Sequence, residues 1–549
     1  MVKTRQNKGL LIKSSLTLDS PQSTILLIVG ALFFGFVIRY IYLFGATFPL
    51  NDGGMFFQMT KDLIANGFRL PEFTDYNGGH IPYGYPPLGF YLAGGVSQLL
   101  RIDLFTVFLY LPVAFNMLTI PVMYALAREV TANRFQSALA MYAFALFNPG
   151  YTWQIMGGGI TRAPGFFFAL LALLFIFKMM KSKRIWQGLP AVLFIALSGW
   201  FHLEMLWYAA ISGLLIMLYY WRSWKGFFAL AGTGLLAGLL MAPYWLTVIL
   251  RHGLDTFLAA FQSGGFIPAA GFILLVRFNF GNEILFTFGA VFIVFGMMDC
   301  LHRKNWLLPA WLLLIIILDQ RSMERSLMPV SAALIAIGLD WIIVLMIRFS
   351  RQLFPNDKFN QPGEESITLD HRLNHPLSMA LVLFLFTQAI FSAMLYRMLP
   401  SNYLAPIPAD ELKAMTWIKE NTPEDARFVS IADIEGWPTD SASEWFPVIT
   451  GRKDVVTVQG TEWLSNGGFD RAVEAYSELK TCRNSDIDCL DEWAEKYDKP
   501  YDYLFFNSRE KLGKYSVYDV PLEAAVAHSA EFELVFKNEC ARVYRRVER

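Results

Sequence analysis

The chain has 549 residues, of which 55% are apolar, 16% aromatic and only 17% charged, with a mean hydropathy of +0.38. Soluble domains carry about 25% charged residues, so most of this chain is built for lipid. The net charge is 0, from 46 basic and 46 acidic residues, which excludes a disordered polyelectrolyte and a nucleic-acid-binding protein.

That neutrality conceals two regions. Residues 1–397 hold 28 Lys and Arg against 18 Asp and Glu, a net +10, whereas residues 398–549 hold 18 against 28, a net −10. The pattern predicts a polytopic α-helical membrane domain over 23–397, after a cytoplasmic tail 1–22, and a soluble α/β domain over 398–549, with the boundary near Leu399–Pro400.

A span of the hydrocarbon core takes about 20 apolar residues. Such stretches occur at 23–44, 104–127, 135–153, 163–180, 186–203, 204–221, 226–250, 284–300, 305–319, 326–347 and 377–397, eleven in all. Residues 86–100 are too short and open with Pro86–Pro87. If they do not cross, eighteen Lys and Arg, among them Lys3, Lys358 and Arg372, share the inner side, and nine, among them Arg162, Arg251, Arg277, Arg321, Arg325 and Arg397, share the outer side. The positive-inside rule then places the N-terminus inside and the tail outside. Residues 86–100 become a re-entrant or interfacial helix at the end of a first outer loop, 45–103. The basic N-terminal stretch runs into a full span without a small-residue cleavage site, as a signal anchor does.

Polar groups on the outer side are candidates for function, because ionisable residues at membrane depth are costly. Asp52 follows one apolar run and precedes another beginning at Met55. It is placed either to cap that helix, where its loss would cost about 1 kcal/mol, or to act on a ligand. Met156-Gly-Gly-Gly-Ile-Thr-Arg-Ala-Pro164 opens a span. Its backbone N–H groups at Gly158, with Thr161 and Arg162, suit an oxyanion or phosphate, or simply a turn that lets helices approach. Arg321 and Arg325 lie four apart, so on a helix they face one anion. A phosphate would suit their guanidinium forks, and Asp319 and Glu324 would serve equally as internal counter-ions. His202 and Glu204, two apart, diverge on a regular helix and cannot share an ion unless the turn breaks there. Each is a cavity-lining candidate, as are Asp75, His80 and Tyr83 in the aromatic, Gly- and Pro-rich stretch 75–87, which suits stacking on sugars or an ordinary interfacial belt.

The tail alternates helical spacing at 409–421, 470–480 and 490–496 with strands at 427–432, 454–458 and 501–506, and ends in a hairpin of 532–536 with 541–545. Trp445 and Trp463, near Glu, Gln and Asn466, are acceptor-binding candidates, with core packing as the alternative for Phe446 and Trp463. Cys482 and Cys489 can close a short bridge if the tail lies outside.

Asp52 opening the first loop, the Tyr83-Gly-Tyr-Pro-Pro-Leu-Gly-Phe-Tyr91 run before the next long span, Gly157-Gly-Gly-Ile-Thr-Arg162 and Arg325-Ser-Leu-Met-Pro329 together resemble the GT-C superfamily of polyprenyl-phosphate-dependent glycosyltransferases, which includes protein O-mannosyltransferases and aminoarabinose lipid A transferases. The likeness covers roughly 20–350. It implies a lipid-bilayer enzyme with a polyprenyl-phosphate-linked sugar donor, a protein, lipid or glycan acceptor, and Asp52 as the catalytic base of an inverting transfer. Arg162, Arg321 and Arg325 would then receive the phosphate. Asp52 stands alone beside Asn51 where many members pair two acids, Ser326 replaces a Tyr, and the Trp-Trp-Asp motif of oligosaccharyltransferases is absent from the tail. These departures disfavour a metal-dependent oligosaccharyltransferase, and no cofactor is firmly implied. Glu72 or Asp75 folding back on Asp52 would be the way to build a divalent metal site. A transporter or flippase of lipid-linked sugars is the competing reading. It predicts internal repeats and midplane polar sites, neither of which the sequence displays.

Overall fold

A computed structural model describes residues 21–263, 288–354, 367, 372, 375–399, 402–432, 436–464, 467–507 and 520–547. The N-terminal tail before residue 21, Arg277, Lys358, Pro400, Asn466 and the start of the span expected at 284–300 lie outside the described residues.

The membrane domain begins with α1 (Pro21–Leu43). The first loop carries α2 (Gly54–Ala65), a two-stranded antiparallel ribbon of β1 (Phe73–Thr74) and β2 (Ile81–Pro82), and α3 (Leu88–Leu100). Then follow α4 (Leu104–Val130), α5 (Arg134–Leu146), the short α6 (Thr152–Ile155), α7 (Gly159–Ser182), α8 (Leu189–Phe201), α9 (Leu203–Tyr220), α10 (Trp224–Leu240), α11 (Ala242–His252), α12 (Asp255–Gln262), α13 (Phe288–His302), α14 (Leu307–Leu318), α15 (Met323–Leu353) and α16 (Pro376–Met398). Among the described residues six helices, α1, α4, α7, α9, α15 and α16, are long and apolar enough to cross a bilayer, and α10 with α11 adds a seventh if a bent pair is one span. α3, at 13 residues, reaches only about 20 Å.

Two expected spans differ from the structure for local reasons. The stretch 226–250 bends by 62° between α10 and α11, because Pro243 in the first turn of α11 has no N–H to continue the preceding ladder. The stretch 135–153 stops at Leu146, where Asn148–Gly150 winds a 3₁₀ turn through Pro149.

α7 and α15 form the buried centre, and most of their side chains are out of solvent. α13 lies against α15 so closely that a Cβ on Gly338 would fall 2.0 Å from the Phe292 carbonyl oxygen. Small residues at a helix crossing permit this backbone contact in lipid.

The tail is a five-stranded mixed sheet in the order β4-β3-β5-β7-β6, built from β3 (Arg427–Ala432), β4 (Lys453–Asp454), β5 (Tyr503–Asn507), β6 (Phe532–Lys537) and β7 (Ala541–Arg546). β3 is parallel to β4 and β5, and β7 runs antiparallel to β5 and β6. Side chains alternate across the sheet. Val429, Ile431, Leu504 and Phe506 face α19 (Gly468–Cys482) and α20 (Ile487–Tyr497), whereas Phe428, Tyr503 and Phe505 face α17 (Ala409–Asn421) and α18 (Ser441–Thr450). The strand expected at 454–458 ends at Asp454. That carboxylate takes the Ser430 and Val456 N–H groups and the Thr457 hydroxyl, turning the chain away from the ladder. A disulfide joins Cys482 to Cys489, tying α19 to α20.

The first loop docks on this tail. Asn51 N–H donates to the Ala405 carbonyl at 3.2 Å, and Asn77 exchanges two 2.8 Å hydrogen bonds with the Asp454 backbone.

Candidate active site

Asp52 sits where the first loop touches the start of α7. Gly53 adopts φ +115°, and a Cβ there would lie 2.7 Å from the Gly157 carbonyl carbon; a Cβ on Gly157 would lie 2.2 Å from the Asp52 carbonyl oxygen. Only glycines allow these two backbones to touch. The contact delivers the Gly158 N–H to Asp52 Oδ1 at 2.9 Å, and one turn further Arg162 Nη2 reaches Oδ1 at 2.9 Å and Oδ2 at 2.7 Å. Arg162 is itself fixed by donating from Nε to the Trp153 carbonyl at 2.9 Å. The glycine-rich element is thus an anion seat, as its composition suggested, but the anion it holds is the protein's own Asp52 carboxylate. Thr161 donates to the Gly158 carbonyl and is fully buried, so it braces that seat from behind.

Asp52 does not cap α2. Gly53 is the N-cap, with no side chain of its own to offer, and the missing acceptor comes from the tail. Glu444, on α18, accepts the Gly53 N–H at Oε1 at 2.8 Å and also takes the Met55 N–H. Burial, and then the neighbouring Asp52 charge, push the Glu444 carboxyl well above the usual range, so its neutral form is favoured. Asp52 and Arg162 side chains are only 11% and 10% exposed. Breaking such a pair costs about 3–5 kcal/mol, not the 1 kcal/mol of an exposed cap.

The second centre is formed by Glu204. α8 ends and α9 begins at His202, whose extended φ −160°, ψ 116° supplies the break that two-residue spacing required. His202 Nε2 then lies 4.0 Å from Glu204 Oε2, too far for a hydrogen bond. Glu204 Oε1 pairs with Arg321 Nε at 2.5 Å, while Oε2 pairs with Arg325 Nη2 at 2.6 Å and accepts from the Ser322 hydroxyl. Arg321 and Arg325 do share one anion, and it is Glu204 from another helix. Among the described residues Asp319 pairs with neither, and Glu324 instead accepts the Trp153 indole N–H at 2.7 Å.

Tyr85 lies between the two centres. Its hydroxyl is 3.4 Å from Thr161 Oγ1, and its ring is 6.0 Å from His202 and 5.7 Å from Trp463. Trp463 is buried against Gly84, at the edge of this space. Four expected residues lie elsewhere. Tyr83 is 1% exposed and donates to the Met59 carbonyl, so it is core. Asp75 and His80 face solvent beside each other, His80 stacked on Phe73. Trp445 is fully buried among Phe48, Phe57 and Phe105, its N–H on the Asn51 carbonyl at 2.7 Å. It rivets tail to loop and has no ring face left for an acceptor.

Glu72 and Asp75 are exposed, and the second acid beside Asp52 is Glu444. Among the described residues no group of three His, Cys, Asp or Glu side chains is arranged to hold a metal. The donors around Asp52 are amide and guanidinium N–H groups, an environment that fits an anion balanced by arginine rather than a cation cradle.

Glu444 and Tyr85 are the residues that sequence reasoning passed over as site members. Tyr85 stood in the singled-out aromatic run. Glu444 had no local signal, being 391 residues from its partner.

No sequence-family model matches the chain, and no curated protein matches it. Solved structures do. The oligosaccharyltransferase AglB from Archaeoglobus fulgidus, in complex with an inhibitory peptide and a dolichol-phosphate, aligns over 88% of this chain and 69% of its own at 15% identity, TM-score 0.53. ArnT from Cupriavidus metallidurans, bound to undecaprenyl phosphate, aligns over 96% and 98% at 14% identity, TM-score 0.51. The arabinofuranosyltransferase AftD from Mycobacteria aligns over 96% of this chain and 40% of its own at 12% identity, TM-score 0.52. At such identities the likeness shows the fold alone, which this chain shares with AglB, ArnT and AftD.

Proposed function

We propose that the protein is a membrane glycosyltransferase that moves a sugar from a polyprenyl-phosphate donor to an acceptor hydroxyl on the outer face, with inversion. The observation that carries this is the pairing of a fixed carboxylate, Asp52, with a double-arginine seat, Arg321 and Arg325, on the two sides of Tyr85. The neighbours' bound dolichol-phosphate and undecaprenyl phosphate support the donor class.

Among the described residues Asp52 Oδ2 pairs with Arg162 and keeps lone pairs for an acceptor O–H. As that oxygen attacks the anomeric carbon, Asp52 takes its proton. The departing phosphate leaves already ionised, so the site must supply positive charge rather than a general acid. Arg325 and Arg321 supply it, with Arg162 behind Asp52 contributing to the same field. Arg162 holds the Asp52 carboxylate in place. The disulfide in the tail supports an oxidising, extracytoplasmic placement.

The test is release of free polyprenyl phosphate from a panel of lipid-phosphate sugars by purified protein with native membrane extract as acceptor source. Release by wild type that Asp52→Asn abolishes is expected. Equal release by both, or none from any donor, would overturn the proposal and favour a transporter.

A further inference from the structure

Glu204 occupies the seat that the proposed function reserves for phosphate, and the details of its contacts are those of a substitute. Two arginines, Arg321 just before α15 and Arg325 in its first turn, converge on this single carboxylate, with the Ser322 hydroxyl as a third donor. Two positive charges face one negative. Arg162 and His202 also lie near this cluster, and the further acids near the arginines are Asp319, by Arg325, and Glu462, by Arg321. Donor capacity also exceeds what Glu204 uses. Arg325 Nε, His202 Nδ1 and the Trp463 indole N–H are buried without a partner among the described residues. An unused buried donor costs about 1–3 kcal/mol, so Arg325 Nε and the Trp463 indole N–H leave bonding capacity for a further acceptor, beyond the unpartnered Asp319 Oδ2 near Arg325. The seat is also reachable, since the Glu204 and Arg321 side chains are 23% and 43% exposed while Arg325 is held at 8%.

We infer that Glu204 is a displaceable stand-in for the phosphate of the leaving polyprenyl phosphate, an inference that rests on the proposed function. In the free protein its carboxylate keeps Arg321 and Arg325 oriented and neutralised. The donor is a phosphodiester with two non-bridging oxygens and one charge. The polyprenyl phosphate it leaves behind is a monoester with three terminal oxygens and more charge, and this takes over Arg325 and Ser322 and pushes Glu204 aside, while Arg321 stays anchored on the Ala260 carbonyl and Ser263 hydroxyl. Glu204 thereby weakens binding of the leaving polyprenyl phosphate while preserving the seat's shape, and its return helps expel that product.

The test measures undecaprenyl phosphate binding and thermal stability of the full-length protein in nanodiscs, for wild type, Glu204→Gln and Glu204→Asp. Glu204→Gln is expected to lower the ligand-free Tm, to bind undecaprenyl phosphate about tenfold more tightly, and to regain the wild-type Tm at saturating ligand. Glu204→Asp keeps the charge on a shorter arm and falls between the two. Equal affinity with a Tm deficit that persists at saturation would make Glu204 purely structural and overturn the inference. Weaker binding by Glu204→Gln would make Glu204 a direct donor contact and overturn it as well. A wild type that fails to bind undecaprenyl phosphate would remove the donor class itself, and with it both the proposed function and this inference.

Discussion

Asp52 and Glu204 are both carboxylates at the tail-facing end of the membrane domain, and they are held in opposite ways. Asp52 is gripped by backbone: the Gly158 N–H, a glycine-to-glycine contact behind it, and an arginine itself fixed to a carbonyl. Glu204 is held by side chains, one of them nearly half exposed, beside a break between two helices. An atom that must receive a proton needs a fixed position, since a misplacement of about 1 Å costs roughly 10²-fold in rate. A seat that must exchange one anion for another needs compliant partners. Under the proposed function, the contrast separates the reacting residue from the binding residues more clearly than their chemical identity does.

The largest effect that would break this contrast comes from Asp52→Asn. It should reduce transfer by about 10²–10⁴-fold and destabilise the protein by about 3–5 kcal/mol, because Arg162 is left buried and unpaired. Adding Arg162→Met should restore the Tm without restoring transfer, a pattern that a purely structural Asp52 would not produce. Next comes Gly157→Ala, whose methyl meets the Asp52 carbonyl oxygen. Transfer measured with saturating donor should fall about 10²-fold, while undecaprenyl phosphate affinity, set at Arg321 and Arg325, stays near wild type.

A smaller effect sharpens the role of the tail. Glu444 has a folded-state pKa raised to about 8 from 4.5, by burial first and then by Asp52. An acid raised in this way gives stability that is complete below the unfolded value and is lost as pH rises toward the folded one. Tm should therefore decline between about pH 4.5 and pH 8, and Glu444→Gln should flatten that decline. Smallest of all, Asp75→Asn and His80→Ala, both on the solvent side of the loop, should change stability by less than about 0.5 kcal/mol and leave transfer unchanged in the release assay.

The site's raw materials were legible in the sequence because membranes make charge rare. Asp52, Arg162, Glu204, Arg321 and Arg325 stood out against apolar runs, and the charge asymmetry divided body from tail. Their pairing was not legible. That Gly158 serves Asp52, and that Glu204 rather than Asp319 or Glu324 answers the two arginines, depends on how α7, α9 and α15 pack, which no local pattern records. Trp445 misled for the same reason. A tryptophan beside a glutamate reads alike whether its ring is offered to a ligand or driven between Phe48 and Phe57. The breaks at Leu146 and Met241 were written in Pro149 and Pro243, but an apolar count averages over such residues.

The cap that Glu444 places on Gly53 sets an order of events in the making of the protein. Gly53 is made long before its partner, which follows 391 positions later. Until α18 has folded, the N-terminal N–H groups of α2 lack their acceptor and the Asp52 turn lacks one of its walls. A chain whose synthesis stops short of Glu444 therefore carries Asp52, Arg162, Glu204, Arg321 and Arg325 without the contact that completes the Asp52 turn.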